Sequence, residues 1–169
     1  MSGKSTFLRT LALNAVLAQT IYACHADSYT GSYFKIMTSI SRSDDIMSGK
    51  SYYLTEAEAI LDMIKSIDKD TPSLIIIDEI FRGTNTKERI AASSKILNYL
   101  IERNVVPLVA THDLELEGLI NEKYDKYYFS EKVGSMGLEF DYALKSGVSK
   151  SGNAIKVLEF LGYPDEITK

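Results

Sequence analysis

The chain has 169 residues, 45% of them hydrophobic and 25% charged, enough for one globular domain with a sizeable core. A net charge of −4 leaves no broad basic surface with which this segment alone would grip nucleic acid, because phosphate neutralisation needs clustered Lys and Arg. A single cysteine, Cys24, and two histidines exclude an internal disulfide, supply too few ligands for a structural zinc site, and favour a reducing, cytoplasmic compartment; the apolar run Leu74 to Ile77 is too short to enter a membrane as a span.

Residues 4–23 read as a helix, because Phe7, Leu8, Leu11, Ala12, Ala15, Val16 and Ala18 recur at helical spacing. Residues 33–40 read as a strand, and the polar stretch Ser41 to Lys50 as a loop. A helix is expected from Ser51 to Ile67, with Leu54, Ala57, Ile60, Leu61 and Ile64 on one face. Leu74-Ile75-Ile76-Ile77 is a continuous apolar run ending in Asp78-Glu79, the pattern of a central strand buried on both faces. Residues 86–103 form a further helix, Val105 to Ala110 a second buried strand, and a short helix starts after His112. Strands near Tyr124–Ser130 and Leu138–Leu144, a Gly/Ser-rich loop over 146–152 and a helix over 153–161 complete the chain. Strands alternating with helices imply an α/β domain spanning 1–169, with a mostly parallel twisted sheet and helices on both faces. Tyr124, Tyr127 and Tyr128, interleaved with Lys123 and Lys126, fit an amphipathic outer strand better than a base-stacking surface.

Gly3-Lys4-Ser5-Thr6 is the end of the phosphate-binding P-loop pattern G-x-x-x-x-G-K-[ST]. The chain begins inside that pattern, so the expectation is a biological start upstream of Met1 and an incomplete Walker A motif. Backbone N–H groups at a helix start surround phosphate oxygens, and the helix dipole favours their charge. Ser2, Gly3, Lys4, Ser5 and Thr6 are therefore candidate ATP-binding residues, with Lys4 toward the β- and γ-phosphates and the Ser5 hydroxyl on Mg²⁺. Four residues of this kind also make an ordinary helix cap. About 70 residues on, the apolar strand ending in Asp78-Glu79 matches the Walker B pattern. Asp78 is the candidate for the Mg²⁺ shell, and Glu79 the candidate general base for the attacking water.

Several segments in the same order resemble the MutS family of mismatch-repair ATPases. Met1-Ser2-Gly3-Lys4-Ser5-Thr6 is similar to its N-M-[GS]-G-K-S-T segment, and Asp44-Asp45-Ile46-Met47-Ser48-Gly49-Lys50-Ser51 to its D-D-x-x-x-G-x-S segment. Asp78-Glu79-Ile80-Phe81-Arg82-Gly83-Thr84-Asn85-Thr86 resembles D-E-x-x-R-G-T-[ST]-T, and Ala110-Thr111-His112 resembles the A-T-H switch. Gly147 to Ile155 resembles the family's carboxyl-terminal G-x-x-x-x-S-[YFH]-G-[IL] run, loosened by one residue. The resemblance implies a P-loop ATPase of the ABC type that works as a homodimer, with ATP and Mg²⁺ between subunits and DNA engaged by domains outside this chain. It further implies that Ser48, Gly49 and Ser51 serve the partner's ATP, that His112 senses the γ-phosphate or positions water, and that the segment from Arg82 to Thr86 crosses to the partner, with Thr84 or Thr86 capping the next helix. Tyr52-Tyr53-Leu54, Asn85, Lys87-Glu88-Arg89 and Asp113 depart from the family's usual residues, as in a divergent bacterial MutS-like protein. Another ABC-type ATPase, or a fragment that folds without turning over ATP, remains as an alternative. No L-S-G-G-Q-like string occurs before Asp78.

Overall fold

Six consecutive buried residues, Ser73–Asp78, form strand β2 at the middle of a three-stranded parallel sheet. Its neighbours are β1 (Lys35–Ser39) and β3 (Val105–Ala110). The computed structural model describes residues 3–40, 52–81, 84–134, 137–149 and 154–168.

Alternate residues of β2 feed two separate cores. Ile75 and Ile77 join Ile60 of α2 (Tyr52–Lys65), Leu100 of α3 (Thr86–Leu100), Ile80 and Phe81. Leu74 and Ile76 join Leu8 and Ala15 of α1 (Lys4–Thr20) and Ala110. Helices thus cover both faces, which is why β2 reads as an unbroken apolar run instead of an alternating one. Each fully buried isoleucine contributes roughly 1.5–3 kcal/mol of transfer free energy.

The Gln19 side chain fixes the direction of α1. Its Oε1 accepts from the Phe34 N–H at 2.6 Å and its Nε2 donates to the Phe34 carbonyl at 3.2 Å. The far end of α1 is thereby tied to the residue that leads into β1, while Leu8, near its start, shares a core with Ala110 at the end of β3. The 17 residues of α1 rise about 25 Å, close to the ~20 Å of a six-residue strand. The helix therefore runs against the strands and brings its first turn to their carboxyl ends.

Some boundaries and faces differ from expectation. Helix α1 stops at Thr20, and Tyr22 beyond it takes a left-handed φ of 57°. Val16, expected on the buried stripe, is exposed; buried Asn14 stands beside Ala15 instead, and its Oδ1 accepts the His25 N–H at 2.6 Å. Helix α3 is capped by Asn85, whose Oδ1 accepts the Glu88 N–H at 3.0 Å, and not by Thr84 or Thr86. Thr86 is the first helical residue, and the Thr84 hydroxyl instead donates to Glu88.

Contacts divide the chain into two units, Ser5–Tyr124 and Met1–Lys4 with Asp125–Lys169. The first holds the parallel sheet. In the second, β4 (Tyr127–Gly134) and β5 (Gly137–Ser146) pair antiparallel, with a register shift between Phe129 and Glu131. Helices α4 (Ala154–Phe160) and α5 (Asp165–Thr168) follow, the second of them without a counterpart in the sequence reading. On the hairpin, bonds from the Lys145 ammonium, the Ala143 N–H and the Ser130 hydroxyl lower the Asp141 carboxyl to about 2. Among the described residues, no helix is long and apolar enough to cross a membrane.

Candidate functional site at the carboxyl ends of the parallel strands

Strands β2 and β3 end in register, with Asp78 opposite Ala110. The Glu79 N–H donates to the Ala110 carbonyl at 2.9 Å, so both chains leave the sheet at one level. Glu79 then turns into the left-handed region with φ 62°, and Phe81 does the same with φ 60°. For residues carrying a Cβ this costs roughly 1–2 kcal/mol each. The strain ends β2 abruptly, where an ordinary extended residue would continue it. Two residues beyond Ala110, His112 places its Nε2 3.1 Å from Glu79 Oε1. Sequence reasoning put each of these residues at a strand's carboxyl end; register makes them partners.

Behind this pair sits a second one. Arg89 Nε donates to Asp113 Oδ2 at 2.8 Å, and the Arg89 NH2 group donates to Oδ1 at 2.5 Å. Such two-pronged pairs are charge-assisted and fix orientation as well as distance. The Asp113 hydrogen bonds raise the Arg89 pKa above its ordinary value; burial opposes this, and the charges of Asp113, Glu79 and Glu115 add to it. The Asp113 N–H donates to Thr111 Oγ1 at 3.0 Å, tightening the turn that carries His112. Glu79, Ile80, Arg89, Thr111, His112 and Asp113 line a cleft of about 240 Å³. Arg89 and Asp113 were missed as site residues, although both had stood out as departures from the family pattern.

Asp78 is buried at the end of the central strand. Ser5 lies in the first turn of α1, which contains no acidic residue to neutralise the helix dipole. In contrast, the start of α3 is occupied by its own Asn85 and Glu88. Gly3 precedes α1 with φ 99°, and a Cβ added there would meet nothing closer than 3.5 Å. The backbone conformation, and not lack of room, calls for glycine. Lys4 and Thr6 occupy the same first turn. Ser2, Ser48, Gly49 and Ser51, together with Arg82 and Gly83, lie outside the described residues.

Among the described residues, no three His, Cys, Asp or Glu side chains gather as a metal cluster. By donor chemistry alone, the Asp78 carboxylate and the Ser5 hydroxyl suit Mg²⁺, an ion that takes oxygen ligands.

An open parallel sheet with helices on both faces defines an α/β domain of the class that takes ligands outside the carboxyl ends of its strands. Within that class, the model of MutS domain V matches residues 1–169, and the chain belongs to this family. It is 33% identical over 170 residues to the DNA mismatch repair protein MutS of Thermus thermophilus, covering 100% of this chain and 21% of the relative. The same named protein of Natronomonas pharaonis is 33% identical over 174 residues, covering 99% of this chain and 20% of the relative. The DNA mismatch repair protein MSH3 of Vanderwaltozyma polyspora is 35% identical over 166 residues, covering 93% and 16%. The chain thus spans about a fifth of the length of such relatives.

Proposed function

We propose that this chain is an ATPase module of the ABC-type P-loop class, hydrolysing ATP with Mg²⁺ at sites shared across a homodimer. In this reading it belongs to a divergent bacterial MutS-like protein and couples nucleotide state to DNA-related conformational change through domains outside this chain. The observation that carries the proposal is the Glu79–His112 contact of 3.1 Å, next to buried Asp78 at the end of the central strand. A transport-type ABC ATPase is less well supported, given the family match.

The chemistry follows from the side chains. Gly3, Lys4, Ser5 and Thr6 hold the phosphates, with backbone N–H groups and the ammonium matching their charge. Ser5 and Asp78 would hold Mg²⁺, which supplies charge neutralisation on the phosphate oxygens when bound. Glu79 accepts a proton from water as the water oxygen bonds to the γ-phosphorus, while the bond to the bridging oxygen breaks and ADP leaves. His112 orients the Glu79 carboxylate and the water. Ser48, Gly49 and Ser51 act on the partner's γ-phosphate.

In protein extended upstream through a complete phosphate loop, Glu79→Gln tests the proposal. Glutamine keeps the shape but cannot act as the base, so turnover should fall by about 10²–10⁴-fold. Nucleotide binding, followed by calorimetric titration with ATP and Mg²⁺, should persist. Phosphate release at the wild-type rate would remove Glu79 from the role of base.

A further inference from the structure

We propose that the Arg89–Asp113 pair is a positioning device that holds His112 in register with Glu79. The inference rests on the hydrolytic reading only for its consequence in turnover; the geometry stands by itself. The His112 side chain is 69% exposed, so little packing fixes its ring. The backbone on either side sets where that ring can reach. On one side, the Glu79 N–H binds the Ala110 carbonyl at 2.9 Å. On the other, Asp113 is anchored twice, through its N–H to Thr111 Oγ1 and through both carboxylate oxygens to the Arg89 fork. The Asp113 side chain is only 9% exposed and that of Arg89 23%, so the clamp is largely shielded from solvent.

Arg89 also lies at a suitable place in α3. Its N–H donates to the carbonyl of the cap residue Asn85 at 2.9 Å, within the first turn of the helix. The helix start is reached from Glu79 through residues 80–85. A single side chain therefore ties the segment following Glu79 to the turn carrying His112. The groups acting on the Arg89 guanidinium are Asp113, Glu79 and Glu115, all acidic. Lysine would keep the charge but lose the planar two-donor geometry that sets the Asp113 orientation.

The test uses the whole chain labelled at histidine, where His25 is the only other imidazole and serves as an internal control. Side-chain couplings read by NMR should show one dominant His112 rotamer in the wild type. In Asp113→Asn and in Arg89→Lys that rotamer should average with others, while His25 stays unchanged and circular dichroism shows an intact fold. In parallel, kcat for ATP should fall about 10–100-fold, with KM little altered, because a displaced catalytic group costs rate more than ground-state binding. If Asp113→Asn fails to fold, Arg89→Lys decides, since it keeps a cation on the buried carboxylate. A His112 ring that holds one rotamer in a folded Arg89→Lys variant overturns the proposal. Protein extended upstream through a complete phosphate loop that binds no ATP, or never hydrolyses it, would refute the hydrolytic reading instead; the rotamer measurement would still decide on the clamp.

Discussion

Tyr124 is half-buried and donates its hydroxyl hydrogen to the Leu97 carbonyl at 2.9 Å, satisfying an oxygen near the end of α3. Burial pushes its pKa from 10.0 up to about 12. The folded chain therefore keeps the phenol proton to higher pH than the unfolded chain does. The resulting stabilisation is complete below pH 10 and is lost as pH rises toward 12. Tyr124→Phe should lower stability by about 1 kcal/mol at neutral pH, the usual worth of one hydrogen bond. The difference between wild type and variant should close between pH 10 and 12 when unfolding is followed in urea. A gap that stays constant across that range would show that Tyr124 does not lose its proton differently in the two states. The Tyr124–Leu97 contact was not legible in the sequence, where this tyrosine read as part of an outer strand. It precedes β4 and packs within the unit that holds α3.

At the scale of elements, α3 depends on its cap. Asn85 accepts the Glu88 N–H, and the Thr84 hydroxyl reaches the Glu88 carboxylate at 3.1 Å, so the first turn is held from outside the helix. Asn85→Ala should cost about 0.5–2 kcal/mol, whereas Asn85→Asp should keep most of the stability. Urea midpoints read at constant m-value check this, and an alanine variant as stable as wild type would mean that water replaces the cap. The sequence did disclose β2, because a strand buried on both faces has no choice but to be apolar throughout, and it disclosed Asp78 and Glu79 at that strand's end. It also gave β3 its bounds, Val105–Ala110. It did not disclose that Glu79 meets His112. That pairing depends on the register of Asp78 with Ala110, which is set by packing across the sheet and leaves no local pattern. The Arg89–Asp113 bridge was hidden for the same reason: its members lie 24 positions apart and each alone looks like a surface charge. Asn85 was passed over as the cap in favour of its threonine neighbours, since both residue types cap helices and only backbone geometry selects among the three positions.

For the whole molecule, the proposed dimer makes a demand that no single-chain measurement can meet. If Glu79 acts on the ATP held by its own chain and Ser51 acts on the partner's ATP, each composite site draws one of these residues from each subunit. Glu79→Gln alone should give dimers in which both sites lack the base. Ser51→Ala alone should give dimers in which both sites lack the partner's hydroxyl. In a mixed dimer of the two variants, both defects fall in one site, and the other site is intact. Equal mixing with random pairing makes half the dimers mixed, each with one good site of two, so about a quarter of wild-type turnover should return if the symmetric sites work independently. The measurement is phosphate release after mixing at concentrations where mass spectrometry of the intact assemblies demonstrates mixed dimers. Recovery near that fraction supports an in-trans Ser51. No recovery despite mixed dimers would remove the independent composite site from the proposal, since two inactive chains that complement nothing share no site that one of them can complete.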